Sequence, residues 1–91
     1  MPIHVKIPTP LRKFTDGAAV VELDGTSVGE VLQALDAKHP GLLDKICDKN
    51  GKVRRFINVY AGDDDIRFLD GLDTAVTDGT EISVIPAIAG G

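Results

Sequence analysis

An α+β fold, in which one main helix packs on one face of a mixed five-stranded sheet, is what this sequence predicts. Three features carry that expectation. Apolar residues alternate with polar ones near the N-terminus, at Ile3, Val5 and Ile7. They recur at helical spacing in one stretch only, at Val28, Val31, Leu32 and Leu35. Close to the C-terminus, Glu81-Ile82-Ser83-Val84-Ile85 keeps an unbroken β character. A period of two marks a half-buried strand, and an i, i+3, i+4, i+7 pattern marks one helical face. An uninterrupted β run marks a central strand with both faces largely covered.

The elements follow in order. The first strand, Ile3 to Ile7, sets His4 and Lys6 on the opposite face and ends where Pro8 and Pro10 interrupt the ladder. Asp16-Gly17 makes a turn, after which Ala19, Val21 and Leu23 alternate with Val20 and Glu22 in a second strand at hairpin distance from the first. Asp24-Gly25 ends it. Ser27, with Glu30 three residues later, forms a capping box, so a helix runs from about Val28 to His39 until Pro40-Gly41 stops it. Leu42, Leu43, Ile46 and Cys47 form one further short turn beneath a solvated loop, Asp48-Lys49-Asn50-Gly51-Lys52. The β-branched and aromatic segment Phe56-Ile57-Asn58-Val59-Tyr60 is a third strand, and Gly62-Asp63-Asp64-Asp65 turns it into a fourth at Ile66-Arg67-Phe68. A short helical turn over Asp70 to Thr74 and a turn at Asp78-Gly79 lead into the fifth strand, and Pro86 releases the tail.

Strand, strand, helix, strand, strand, strand is an order that the right-handed crossover rule folds with the last strand beside the first, in parallel. That is the β-grasp, or ubiquitin-like, architecture. A ferredoxin-like domain needs a second full helix, for which Asp70 to Thr77, broken at Gly71, is too short. A chain of 91 residues holds one small domain. The expected organisation is a β-grasp domain over residues 1–85 and a flexible C-terminal tail over residues 86–91, ending in Gly-Gly.

Composition narrows the functional classes. Apolar residues make up 43 % of the chain but aromatics only 4 %, so Val, Ile and Leu must build the core. The net charge of −4, with both signs interspersed, argues against a nucleic-acid binder, which concentrates Lys and Arg into a stripe. Cys47 is the only cysteine, so no intrachain disulfide forms, and a reducing, cytoplasmic setting is expected. The N-terminus, Met1-Pro2-Ile3-His4-Val5-Lys6, lacks the pattern of a secretion signal, and no apolar run is long enough to span a bilayer.

The ending Asp78-Gly79-Thr80-Glu81-Ile82-Ser83-Val84-Ile85-Pro86-Ala87-Ile88-Ala89-Gly90-Gly91 sets a tight turn and a glycine pair at the two ends of one apolar strand. Together with Arg55-Phe56-Ile57-Asn58-Val59-Tyr60 and Asp64-Asp65-Ile66-Arg67-Phe68, it resembles the MoaD/ThiS family of ubiquitin-like sulfur carriers over essentially the whole chain. Within that family these segments look most like the carriers of phosphoserine-dependent cysteine biosynthesis. The proline-bearing tail is shared with molybdopterin synthase small subunits, whereas thiamine sulfur carriers tend to be shorter and lack the loop from Asp44 to Lys52.

The resemblance implies a protein co-substrate and not an enzyme. An E1-like adenylating and sulfurtransferase partner would use ATP to activate Gly91, and sulfur would then replace one oxygen to leave a thiocarboxylate. A sulfur-accepting enzyme such as a cysteine synthase, or the large subunit of molybdopterin synthase, would follow, and a metalloprotease would process the tail. Two other classes stay open: a ubiquitin-like modifier joined through Gly91 to lysines, and a β-grasp binding module with an inert tail.

The residues fit the role of substrate. No Walker-type phosphate loop or basic cradle for a triphosphate is present in the sequence, so no bound cofactor is expected and ATP belongs to the activating enzyme. Gly90 and Gly91 have no Cβ and can thread a narrow channel. From Pro86 through Ala87, Ile88, Ala89 and Gly90 to Gly91, the six tail residues reach at most about 20 Å. Pro86 fixes φ at the root and Ile88 offers one apolar anchor. If alternate residues face the helix, Phe56, Asn58, Tyr60 and Ile85 join His4 and Lys6 on the open sheet face as a partner surface.

Other candidates have simpler readings. Cys47, beside Ile46 and Leu43, is expected as a small buried hydrophobe. His4 and His39 lie too far apart to suggest a metal site, and Asp63-Asp64-Asp65 lacks the spacing of a calcium loop. Arg54-Arg55 is expected on a solvated face, with contact to an acidic partner as the alternative.

Overall fold

β1 (Ile3–Lys6) and β2 (Val20–Leu23) pair antiparallel with Val5 opposite Val21, so that Ile3, Val5, Val21 and Leu23 turn to the same, buried side. In this computed structural model, which describes residues 2–86, the remaining strands are β3 (Ile57–Ala61), β4 (Asp64–Asp65) and β5 (Glu81–Pro86). The sheet order is β2-β1-β5-β3-β4, with β5 parallel to β1 and antiparallel to β3. The last strand therefore sits at the centre beside the first, as the crossover rule requires. Helix α1 (Val28–Lys38) contributes Val28, Val31, Leu32 and Leu35 to a single core with Ile3, Val5, Ile7, Val59, Ile82 and Val84. The short helix α2 (Leu42–Ile46) closes that core with Leu42 and Ile46.

Local chemistry fixes where α1 begins. Ser27 Oγ accepts a hydrogen bond from the Glu30 N–H at 3.2 Å, as an N-cap should. The reciprocal half is displaced by one residue: Glu30 Oε1 accepts from the Thr26 N–H at 2.9 Å and from Thr26 Oγ1 at 2.8 Å. The Thr26 N–H, and secondly its hydroxyl, hold the Glu30 carboxyl below its ordinary value of 4.5. A lowered folded-state pKa contributes stability that is present above the unfolded value and lost as pH falls through the folded one. Glu30→Gln is therefore expected to flatten the acid limb of the stability profile below about pH 4.5, with urea midpoints at stepped pH as the measurement.

The turn into α1 brings Gly25 so close that a Cβ there would lie 2.7 Å from Val31 Cγ2 and 3.2 Å from the Val31 N. Val31 is fully buried and has no room to retreat. Gly25→Ala is expected to destabilise the fold by about 1–3 kcal/mol, as overpacking does, read from urea unfolding.

α2 follows α1 directly because Asp36 Oδ1 accepts from the N–H groups of Gly41 and Leu43, at 3.0 and 3.2 Å. Gly41 sits at φ 101°, a conformation that only glycine adopts freely.

The structure corrects four expectations. Ile66–Phe68 is a 3-10 turn and not a strand, so the fourth strand is only Asp64–Asp65, joined to β3 by the two-residue turn Gly62-Asp63. The reason is local: Asp65 Oδ1 accepts from the Arg67 N–H at 2.8 Å and starts the turn, which drops Ile66 into the core. β5 is covered on one face only, since Ile82 and Val84 are buried while Glu81 and Ile85 are exposed. Phe56 precedes β3 in a turn instead of opening the strand. The prolines after β1 do more than interrupt it: Thr9–Thr15 winds into a 3-10 helix with proline in its first turn. There the buried Thr15 hydroxyl lies 2.8 Å from the carbonyl of Ala18.

Candidate functional site

The expected reactive segment grows from the end of β5. β1 accompanies β5 through Ser83, and β3 continues alongside it to the pair Ile57–Pro86. Pro86, expected to open the flexible tail and to thread with it, is instead the last residue of β5; β1 has ended by then, so Pro86 has β3 alone as a neighbour, an edge position where a missing N–H is tolerated. The expected threading residues Ala87, Ile88, Ala89 and Gly90, and the expected reactive Gly91, lie outside the described residues. What can be described is the root: a central strand held by a neighbour on each side, whose buried Ile82 and Val84 anchor it in the core.

Of the four expected surface residues, three share the open face. Asn58 stands directly opposite Ile85, and Tyr60 opposite Ser83 on one side and Asp65 on the other. Ile85 is 46 % exposed, whereas Asn58 and Tyr60 are half-buried. His4 and Lys6 carry this face onto β1, His4 in a hydrogen-bond contact with Glu22 at 3.2 Å and Lys6 in an ion pair with Glu81 at 3.1 Å. Such an exposed ion pair adds little stability. Phe56, the fourth, is 51 % exposed and lines a groove of about 620 Å³ whose wall includes Val53, Ile57 and Pro86. The aromatic that the alternation assigned to the sheet face therefore meets the tail's root from beside the sheet.

Arg67 is the residue that the sequence reading passed over. Its guanidinium donates to the carbonyls of Arg54, at 2.9 Å, and Ile57, and to Asn58 Oδ1 at 2.6 Å. Its Nη1 also lies 3.5 Å from Asp65 Oδ2. One planar fork thereby ties the turn carrying Phe56 to the start of β3. The only signal in the sequence is an arginine two residues after an aspartate that can start a turn, which an alternating strand pattern obscures.

Cys47 is 3 % exposed, and burial pushes its thiol pKa up, with the charge of Asp48 adding and that of Arg54 opposing. At neutral pH it is a protonated, enclosed thiol, ill suited to relay sulfur. Among the described residues no group of three His, Cys, Asp or Glu side chains is arranged to hold a metal ion. No helix among them is long and apolar enough to cross a membrane.

Comparison with known proteins gives a consistent result. The ThiS family profile matches residues 5–91. The sulfur carrier protein CysO of Mycobacterium tuberculosis is 41 % identical over an alignment of 93 residues that covers 100 % of both chains. The small archaeal modifier protein 3 of Haloferax volcanii is 38 % identical over 68 residues, covering 75 % of this chain and 73 % of that one. Among solved structures, a chain of the Amycolatopsis orientalis BexX/CysO complex superposes with a TM-score of 0.92 at 40 % identity, covering 98 % of this chain and 99 % of that one.

Proposed function

We propose, since this chain belongs to the ThiS family of ubiquitin-like sulfur carriers, that it carries sulfur on Gly91 and serves cysteine biosynthesis. The observation that carries this reading is a family match running through Gly91 on a fold whose central strand leads into that tail. The full-length likeness to CysO carriers supports the pathway. The chain itself acts as a co-substrate, in a reducing cytoplasm, and the catalysts are partner proteins.

The chemistry follows from what a carboxylate lacks. Its oxygen is a poor leaving group, so Gly91 must first be activated. An E1-like enzyme joins the carboxylate to AMP from ATP and releases pyrophosphate, and hydrosulfide then displaces AMP to leave a thiocarboxylate. Ionised sulfur is a soft nucleophile that can attack an electrophilic carbon of a small substrate held by an acceptor such as a cysteine synthase, forming a carbon–sulfur bond as that carbon's leaving group departs with its electron pair. Hydrolysis of the resulting acyl–sulfur bond leaves the sulfur as a thiol on that carbon and returns the Gly91 carboxylate. Ala87 through Gly90 supply reach beyond the strand end at Pro86, and the two glycines supply a backbone narrow enough for an enclosed channel.

Activation is the step to test first. The full chain is expected to support ATP–pyrophosphate exchange by the activating enzyme, and a chain lacking Gly91 is expected to support none. Exchange that survives the deletion would remove Gly91 from the reaction. A second reading, transfer of activated Gly91 to lysines, is favoured by the match to the small archaeal modifier protein 3. Gly91-linked conjugates in lysate would support it, and thiocarboxylate without conjugates would oppose it.

A further inference from the structure

Charge is segregated at the root of the tail. Lys45, Lys52, Arg54 and Arg55 stand around the groove that Phe56 and Pro86 line, and Asp48 is its one acidic wall residue. The whole chain has ten basic and fourteen acidic residues. Four of the ten basic residues thus gather at this one opening against one of the fourteen acidic ones, and the rest of the molecule is correspondingly acidic. All four cations are exposed, and among the described residues none forms a salt bridge with a carboxylate.

The groove is also held in shape. Arg54 donates from its backbone N–H to Ile46 O at 2.9 Å and from Nε to Asp44 O at 2.8 Å, which fixes one wall to α2. Arg67 fixes the other wall to β3 through the carbonyls of Arg54 and Ile57. The Arg55 guanidinium lies 5.2 Å from the centroid of the Phe56 ring, within reach of a cation–π contact. Val53 and Ile57 pack against the core from the groove floor. A preorganised apolar floor inside a cationic rim matches a segment with an apolar side chain flanked by carboxylates.

We propose that this groove docks an acidic segment of the activating enzyme, with an apolar side chain of that segment seated against Phe56. The inference rests on the reading that Gly91 is activated by a partner, a step that carrier and modifier readings share. Position argues for it: a contact at Pro86 fixes the start of the tail and so aims everything beyond it. Charge argues for protein over nucleic acid, because the cationic area is short and the surrounding acidic surface repels a long polyanion. Complementary charge at such a site raises the association rate and makes binding weaken with salt.

Two measurements on the full chain test this. In the first, amide NMR follows titration with a synthetic peptide of aspartate and glutamate around one leucine, with its Asn/Gln counterpart, and with single-stranded DNA of equal charge. The acidic peptide is expected to shift residues 52–57 in a salt-sensitive way, and the counterpart to shift nothing. An absence of shifts in residues 52–57, or DNA binding there at least as tightly as the peptide, overturns the proposal. In the second, Lys52→Glu combined with Arg55→Glu is expected to raise the KM for the carrier in pyrophosphate exchange about tenfold or more with little change in kcat. Lys52→Gln with Arg55→Gln is expected to give a smaller rise in the same direction. An unchanged KM overturns the groove while leaving the carrier function intact. Peptide binding by a wild-type chain that is never activated has a different meaning: the groove binds acidic segments, but the activating enzyme is not its occupant, and the carrier and modifier readings fail together.

Discussion

Ile82→Ala is expected to lower the stability of the domain by about 2–5 kcal/mol, the range for emptying a buried isoleucine site. Ile82 is fully buried in β5 and is registered between Val5 of β1 and Ala61 of β3. A side chain held by a strand on each side and a core beneath cannot be replaced by local collapse, so the cavity persists. Against a total of about 5–15 kcal/mol for a domain of this kind, the loss is a large share. It should lower the melting temperature by about 10 °C or more. Ile82→Val removes a single methylene and is expected to cost only about 0.5–1.5 kcal/mol. A change below about 0.5 kcal/mol for the alanine variant would mean that the centre of the sheet is packed differently.

Arg67→Ala is expected to cost about 1.5–3 kcal/mol, as loss of charge-assisted hydrogen bonds does. The substitution strips donors from the carbonyls of Arg54 and Ile57 and from Asn58 Oδ1, and leaves Asp65 without its cation. The consequence should be local as well as global. Hydrogen exchange over residues 54–58 is expected to accelerate more than exchange in β1, because the turn carrying Phe56 loses its tie to β3. Arg67→Lys should restore only part of the loss, since an ammonium cannot span three acceptors as a guanidinium does. Full restoration by lysine would show that charge alone matters there.

Much of the fold was legible because local pattern and global packing agree. Ile3, Val5, Val21 and Leu23 alternate, and each is buried. The helix was marked by Ser27 and Glu30 and by its apolar face, and α1 begins at Val28. Readings failed where a side chain's destination lies far along the sequence. Ile66-Arg67-Phe68 has strand-like composition, yet Asp65 starts a 3-10 turn and Arg67 reaches back nine to thirteen positions to its acceptors. Phe68, which alternation would have paired across a hairpin, is left 86 % exposed.

The site divides in the same way. The terminal glycines, the proline before them and the β-grasp order were visible as a motif, because motif and strand are contiguous. The basic groove was visible only in part: Arg54-Arg55 stands out as an adjacent basic pair that could meet an acidic partner, but Lys45 and Lys52 look like scattered solvated charges until α2, the following loop and the end of β5 converge on Phe56.

Intact-mass measurement of the full chain, after incubation with ATP, the activating enzyme and a sulfide source, tests the carrier function most directly. The expected result is a mass gain corresponding to exchange of one oxygen for sulfur, located by fragmentation at Gly91 and absent when Gly91 is deleted. An unchanged mass under conditions where the enzyme consumes ATP, or a sulfur found on Cys47 instead, would contradict it.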